Sequence, residues 1–322
     1  MMVANSRKKC PVTYSKVPLF FSLVDYRNNY FTSNDPNKII EFYNDFENRD
    51  QLIQWMRERP KGVANIHEVE GDKEIVVVIP TADFSGKYAR ECRDNIFKGL
   101  HIIFVESGEI PDPYFNFAHN MNVGIKKAME YNPKWVVVSN DDMRKKSSPS
   151  TLISELNNLN NSDKKAIFVK NSKVSPRWHI SKRTIISKFL DTWKKYRNDS
   201  NYFKGVEIFR KFGVSYYFVW GIESLFYSHE SSYVNTGSFC CYSGIFCNSL
   251  EGKIYDETFI NSAEDLKLSM LLTKHRQYYS FFKKYDIINI GGATLGSSTR
   301  GLRDVSGMVY LNYELCYNDH LR

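Results

Sequence analysis

The chain has 322 residues, of which 42% are hydrophobic and 25% charged, and a net charge of +8 from 44 basic and 36 acidic side chains. This length is enough for one large domain or two smaller ones with a sizeable core. The positive charge favours nucleotides, other polyanions or an anionic membrane surface as partners. It is spread along the chain and forms no long basic tail.

Several classes of protein are excluded by the sequence. Six cysteines without a CxxC pair suit neither a zinc site nor a small disulfide scaffold, so we expect reduced thiols. The N-terminal residues have no apolar run of the signal-peptide type. No stretch approaches the roughly 18 apolar residues that a membrane-spanning helix needs. We therefore expect a cytoplasmic protein, and the charge leaves a peripheral contact with a membrane open.

Residues 1–72 read as a helical N-terminal extension. After a turn at Asn34-Asp35-Pro36, a helix with one broad apolar side is expected, and a second helix is predicted from Asp50 to Arg59, where Pro60 ends it. No group of catalytic residue types occurs here. We interpret the extension as a helical cap or as a segment that docks a partner.

From Lys73 onward, strand-like and helix-like patterns alternate. Unbroken β-branched runs predict strands buried on both faces, and apolar residues at helical spacing lie between them. The predicted order is a strand at 74–79 closed by Pro80, a helix through Tyr88, Cys92, Ile96 and Leu100, a strand at 101–105, a helix at 117–129 and a strand at 135–138. This alternation predicts an α/β fold with a mainly parallel, Rossmann-like sheet flanked by helices.

Polar side chains follow each of these three predicted strands. They are Thr81 and Asp83 after the first strand, Glu106 after the second, and Asn140, Asp141 and Asp142 after the third. Because ligands bind beyond the carboxyl ends of strands in open α/β sheets, these residues predict a nucleotide-sized site. The carboxylates and the amide could hold a divalent cation, although Asn and Asp also favour plain turns. The sequence contains neither GxGxxG nor a P-loop.

The second half of the chain is less regular. We expect a helix at 150–156, a short strand in KAIFVK, a strand at 214–220 and a strand and turn in GSFCCYSGIF. An apolar helix should follow Glu264-Asp265, and DIINIGG reads as the last strand before a loop rich in glycine and serine. Ser262-x-x-Asp265 is also a capping-box pattern for the start of the apolar helix.

Taken in order, three of these segments resemble the GT-A-fold glycosyltransferases of the family 2 type. IVVVIPTAD is similar to the family's first strand and nucleoside-binding loop. NMNVGIKKAMEYNPKWVVVSNDDM is similar to its Asn-x-Gly helix and metal-binding DxD strand, and YDETFINSAEDLKLSMLL to the segment that carries its catalytic base. The resemblance covers about Lys73 to Gly296 and implies one GT-A-like domain, 73–322. Its nucleotide-sugar-binding half is 73–170 and its acceptor-binding half is 171–322.

The resemblance assigns roles to residues by their positions in these motifs. It implies that Thr81, Asp83 and Glu106 contact the nucleoside, and that Asn140 and Asp142 hold Mn²⁺ or Mg²⁺ with Asp141 between them. Asp265 would be the general base, with Glu264 beside it. Independently of the resemblance, Arg300 and Arg303 are candidates to contact the diphosphate if the C-terminal loop closes over the site. The sequence departs from the family's pattern twice, with Asn140 at the first DxD position and Asn289 where a histidine is often found.

The reaction implied is transfer of a sugar from a nucleotide-diphosphate sugar to an acceptor hydroxyl, assisted by a metal and inverting. The acceptor would be a glycan, a lipid-linked molecule or a protein. Two alternatives remain. A nucleotidyltransferase would use a similar sheet, but PTADFSGKY is a poor version of its glycine-rich basic loop. A binding protein for nucleotides or nucleic acid would suit the charge, but no RNP motif, zinc pattern or helix-turn-helix signature occurs. We expect no nucleic-acid partner.

Overall fold

The computed structural model describes residues 26–108, 112–159, 165–169, 177–182, 228–233, 238–274, 279–290 and 299–317. The strand expected at 214–220 and most of the glycine- and serine-rich loop lie outside these residues.

The described part of the N-terminal segment before Pro60 is helical, as predicted, whereas residues 64–69 form a strand. Residues 26–31 are helical, and two further helices follow, α1 (Pro36–Asn44) and α2 (Arg49–Glu58). Each is capped by a side chain, since Asp35 accepts a hydrogen bond from the Asn37 N–H and Asn48 accepts one from the Gln51 N–H. These caps satisfy backbone donors that have no partner within the helix.

The remaining elements form an α/β arrangement. The helices are α3 (Lys87–Glu91), α4 (Phe117–Met129), α5 (Pro149–Asn157), α6 (Gly244–Ser249), α7 (Glu264–Lys274) and α8 (Arg300–Tyr317). The strands are β1 (Ala64–Val69), β2 (Asp72–Thr81), β3 (Leu100–Ser107), β4 (Trp135–Ser139), β5 (Met143–Lys145), β6 (Ala166–Phe168), β7 (Arg177–Lys182), β8 (Ser228–Tyr233), β9 (Phe239–Ser243), β10 (Tyr279–Phe281) and β11 (Ile287–Asn289).

Seven strands form one mixed sheet in the order β1-β3-β2-β4-β9-β6-β10. Strands β2, β3 and β4 are parallel to one another, and β6 and β10 share their direction because β9 is antiparallel to both β4 and β6. Only β1 and β9 run the other way among these seven strands. The central β2–β4 pair places the carboxyl ends of both strands at the same edge.

Two local predictions are wrong. Pro80 does not close the first strand but lies within β2, where it pairs with Val105 of β3. The helix predicted through Leu100 ends at Glu91, a π-helical turn covers Cys92–Ile96, and Leu100 begins β3. The apolar spacing from Tyr88 to Leu100 therefore reflects burial by three consecutive elements.

Helix α4 lies directly on the sheet because it carries a glycine at the contact. A Cβ atom on Gly124 would come within 2.4 Å of Val78 Cγ1 and 2.8 Å of Val105 Cγ2. Such distances are below normal van der Waals contact, so only glycine allows the observed approach. The glycine of the Asn-x-Gly motif is thus explained by packing.

Apolar cores cover both faces of the seven-stranded sheet, and a separate core joins the two ends of the described chain. This terminal core unites α1 and α2 with α8 and with Phe259, Ile260 and Ala263. The last part of the N-terminal extension also joins the main sheet, because β1 pairs with β3 from Ala64 to Val69. Residues before Lys73 therefore contribute to two parts of the fold.

Smaller pairings complete the described structure. Strands β5 and β11 pair antiparallel, as do β7 and β8. The last predicted strand therefore lies outside the main sheet. Within the described ranges, no helix is both long and apolar enough to span a bilayer, and Cys92, Cys240, Cys241 and Cys247 are free and buried.

Candidate active site

The ends of β2 and β4 are joined by a direct side-chain contact. Thr81 Oγ1 donates a hydrogen bond to Asp141 Oδ2 at 2.8 Å, and both residues are buried. Burial raises the pKa of Asp141 to about 6, the neighbouring Asp142 adds to the rise, and the Thr81 hydrogen bond opposes it. The two strand ends singled out from the sequence therefore meet in space.

Asp142 is the next residue along and differs from Asp141 in one respect. It is 5% exposed, and its Oδ1 atom is buried without a hydrogen-bond partner among the described residues. Its backbone carbonyl accepts from the Ile290 N–H at 3.0 Å, which fixes the backbone here. Buried polar atoms are normally paired, so an unpaired carboxylate oxygen at a strand end indicates a partner that lies outside the described residues.

Asn140 and Asp83 remain accessible at the same edge. The Asn140 N–H donates to the Ser238 carbonyl at 2.9 Å, and its side chain is partly exposed. Asp83 is exposed, and its Oδ1 accepts from the Ser85 N–H at 2.9 Å in the loop after β2. Both side chains can therefore reach a ligand bound at the carboxyl ends of β2 and β4.

Glu106 supports the loop after β2. Its Oε1 accepts from the Phe84 N–H at 2.8 Å, and its Oε2 lies 2.8 Å from His67 Nε2. The rings of His67 and Phe84 are stacked with centroids 4.4 Å apart. The Phe84 N–H, followed by His67, holds the pKa of Glu106 below its usual value against the effect of burial. Both carboxylate oxygens thus have protein partners, and its predicted nucleoside contact stays a prediction.

The segment before the acidic pair runs antiparallel along α4. The Tyr255 N–H donates to Asn122 Oδ1 at 3.0 Å, and Asn116 Nδ2 donates to the Phe259 carbonyl at 2.9 Å near the start of the helix. Because α4 follows β3, its N-terminus lies at the carboxyl edge of the sheet. The segment therefore leads towards the edge of the sheet where β2 and β4 end, and Glu264 and Asp265 follow it directly.

Side chains that sequence reasoning missed hold this segment in place. Glu257 accepts from Asn122 Nδ2 at 2.9 Å and lies 3.0 Å from His119 Nδ1. Asn261 Oδ1 accepts from the Phe117 N–H at 2.7 Å. The Asn-x-Gly pattern gave a signal only for Asn122, whose side chain contacts residues more than 130 positions away.

The acidic pair begins α7 after a strained turn. Asn261 and Ala263 have φ values of 56° and 70°, a left-handed region that costs non-glycine residues energy and is frequent at functional sites. Since Ala263 cannot be the first helical residue, α7 begins at Glu264, one residue later than the predicted Ser262-x-x-Asp265 capping box requires. That register is wrong. Asp265 Oδ1 instead accepts from the Leu266 N–H at 2.8 Å.

The two carboxyl groups differ in their surroundings. Glu264 is 7% exposed and its Oε2 is buried without a hydrogen-bond partner in the described chain, whereas Asp265 is partly exposed. Burial raises the pKa of Glu264 to about 8, and the adjacent Asp265 adds to the rise. Burial also raises the pKa of Asp265 to about 7, opposed by the Leu266 N–H and then by its own N–H.

The first turn of α8 faces this pair. The positive charge of Arg300 lowers both pKa values and the negative charge of Asp304 raises both, each as a lesser effect than burial. Arg300 is exposed. Arg303, the other arginine of this turn, donates to the Thr32 carbonyl at 3.4 Å. The structure thus places Arg300 beside Glu264 and Asp265, and a contact of Arg300 with diphosphate stays a prediction.

Comparison with known proteins identifies no family for this chain. No model of a known protein family matches the chain, and no curated protein matches it. The fold that the structure shows is an α/β arrangement with a mixed, mainly parallel sheet flanked by helices. Function must therefore be argued from the site.

Proposed function

We propose that the protein is a GT-A-fold glycosyltransferase that moves a sugar from a nucleotide-diphosphate sugar to an acceptor hydroxyl with inversion. One observation carries the proposal. An aspartate whose buried Oδ1 has no hydrogen-bond partner among the described residues follows β4, and the segment that runs along α4 towards this edge of the sheet ends in an acidic pair with raised pKa values at the start of α7. Perturbed carboxyl groups beside a ligand-binding edge are typical of catalytic sites.

The residues after β4 suit a divalent cation that is shared with the substrate. Asp142 Oδ1 is a hard oxygen ligand without a hydrogen-bond partner in the described part of the chain, and Asn140 can add an amide oxygen. No cluster of three or more His, Cys, Asp or Glu side chains that could hold a metal occurs in the described residues. Mg²⁺ is often held by one or two carboxylates together with substrate phosphates and water. When bound, the cation neutralises charge that develops on the diphosphate leaving group.

Asp265 is the better placed of the two acids to act as the base. It is partly exposed and can meet an acceptor, whereas Glu264 is buried. A pKa of about 7 suits a base that works near neutral pH. Asp265 takes the proton of the acceptor hydroxyl while that oxygen bonds to the anomeric carbon. The bond from this carbon to the diphosphate oxygen breaks, and the diphosphate leaves with the electron pair.

The loop after β2 supplies the nucleoside side of the proposed site. Asp83 is exposed there and can accept hydrogen bonds from a ribose or a base. Thr81 and Glu106 fix the conformation of this loop. Thr81 donates a hydrogen bond to Asp141, and Glu106 accepts one from the Phe84 N–H. In the proposed site, Arg300 supplies the positive charge that binds the donor diphosphate.

A product assay tests this proposal against its alternatives. The protein is incubated with a panel of nucleotide-diphosphate sugars with and without Mn²⁺, and the released nucleotide is measured. We expect nucleoside diphosphate and free or transferred sugar, dependent on Mn²⁺. Release of pyrophosphate from a nucleoside triphosphate and a sugar phosphate would instead support a nucleotidyltransferase. Retention on nucleic acid without turnover would support a binding protein.

A further inference from the structure

Tyr43 of the N-terminal helices contacts the backbone of α8. Its hydroxyl donates to the Leu302 carbonyl at 2.7 Å and accepts from the Ser306 N–H at 3.1 Å. In an uninterrupted α-helix these two backbone groups pair with each other, since they are four residues apart. Tyr43 and Ser306 are both fully buried. The hydroxyl thus bridges a backbone carbonyl and an N–H that are four residues apart in α8, and it joins α1 to the early part of that helix.

The turn of α8 that Tyr43 holds is the turn that faces the acidic pair. Arg300 lies just before Leu302 and Asp304 lies between Leu302 and Ser306, and the charges of both act on Glu264 and Asp265. Tyr255, from the segment along α4, faces the pair from another side, since both carboxylates act on its pKa. The position of the first turn of α8 therefore determines part of the electrostatic environment of the pair.

Helix α8 also contacts the strained turn directly. A Cβ atom on Gly307 would lie 2.4 Å from the carbonyl oxygen of Ser262, so glycine lets the helix approach the backbone just before Glu264. Ala263 belongs to the same apolar core as α1, α2 and α8. A continuous set of contacts therefore runs from Tyr43 through α8 to the start of α7.

We propose that Tyr43 is a positioning residue for Glu264 and Asp265, and that the N-terminal helices are a working part of the active site. The inference rests on the proposed function for its catalytic consequence, but its structural content does not. Tyr43 acts through α8, because the first residues of this helix lie over the pair and bring the charges of Arg300 and Asp304 close to it. Without the hydroxyl, this turn loses its anchor to α1 and admits water to the pair.

The test compares Tyr43→Phe with Phe46→Leu. Tyr43→Phe keeps the ring and removes the hydroxyl. Phe46 packs in the same core against Phe42 and Trp55, so its replacement is a matched control for stability. We expect either variant to lower Tm by about 1–3 °C, because a chain of this length has a large unfolding entropy and a modest loss of stability shifts its Tm little.

The two variants should differ in measurements that a change in stability alone would not affect. In Tyr43→Phe, amide hydrogen exchange at Ser306 of α8 should rise roughly tenfold, as expected for the loss of one good hydrogen bond. Carbon-13 NMR titration should show the Glu264 and Asp265 carboxyl groups moving towards ordinary carboxylate values, because burial is the largest cause of their rise. The acid limb of kcat should shift to lower pH, with kcat reduced and KM for the donor unchanged.

Two results would overturn the inference. One is a Tyr43→Phe protein whose carboxyl titration and α8 exchange match those of the wild type. The other is a Phe46→Leu protein that reproduces every change seen in Tyr43→Phe. If neither wild type nor variant turns over any nucleotide sugar, the proposed function fails, and the NMR and exchange results still decide the role of Tyr43.

Discussion

The two halves of the candidate site are built in different ways. The residues after β4 are placed by the parallel β2–β4 pair of the main sheet, and their main contact joins neighbouring strand ends, Thr81 and Asp141. The pair at the start of α7 is placed by segments distant in sequence, namely α4, α8 and the N-terminal helices. The first half follows from regular architecture, and the second depends on tertiary contacts that cover a strained turn.

The largest expected effect is on catalysis at the second half. Asp265→Asn keeps the shape of the side chain and an oxygen that can accept from the Leu266 N–H, but it loses basicity. Loss of a general base should lower kcat by roughly 10²–10⁴-fold, while Tm changes little. Steady-state kinetics and a melting curve measured on the same preparation check this. A fully active Asp265→Asn enzyme would exclude Asp265 as the base.

Two glycine-to-alanine replacements test the difference between the two halves of the site. In Gly307→Ala the new methyl group meets the Ser262 backbone, so the turn before Glu264 must move. In Gly124→Ala it meets the side chains of Val78 and Val105 in the core. Overpacking costs about 1–3 kcal/mol, which outweighs the gain in helix propensity of about 1 kcal/mol.

We expect different outcomes from the two replacements. Misplacement of reacting groups is costly, so Gly307→Ala should lower kcat roughly tenfold, whereas Gly124→Ala should mainly lower the free energy of unfolding. Denaturant unfolding and kinetics on both variants test this. The reverse pattern, with catalysis more sensitive at Gly124, would contradict the division between the two halves.

A smaller effect is expected in the dependence of stability on pH. The pKa values of Asp141, Asp265 and Glu264 are raised in the folded state to about 6, 7 and 8. At these three groups the native protein binds more protons than the unfolded chain, so the stability that they contribute is present below about pH 4 and is lost as pH rises to about 8.

Glu264→Gln should reduce the loss of stability that accompanies rising pH. We expect the variant to lose about 1–3 kcal/mol less than the wild type over that pH range, in the absence of metal. Urea unfolding at pH 5 and pH 8 measures the difference. Parallel pH curves for the two proteins would show that Glu264 is ionised in the folded state at neutral pH.

The sequence predicted the first half of the site better than the second for physical reasons. Unbroken apolar runs identify buried strands, and parallel strands bring Thr81 and Asp141 together without further information. The capping-box pattern placed the start of α7 one residue early, because nothing in the local sequence shows that Ala263 adopts a positive φ. The contacts of Tyr43 and Gly307 join residues more than 40 positions apart, so no periodicity could reveal them. Pro80 within β2 was missed because proline is usually a strand terminator.

The most direct test of the account is the binding of nucleoside diphosphate and Mn²⁺ to Asp142→Asn, compared with Asp72→Asn. Asp72 begins β2 at the opposite edge of the sheet, is exposed, and undergoes the same change of charge. Isothermal titration calorimetry should show that Mn²⁺ strengthens nucleotide binding in the wild type and in Asp72→Asn. This dependence should be lost in Asp142→Asn. Equal dependence on Mn²⁺ in all three proteins would contradict a cation site at the end of β4.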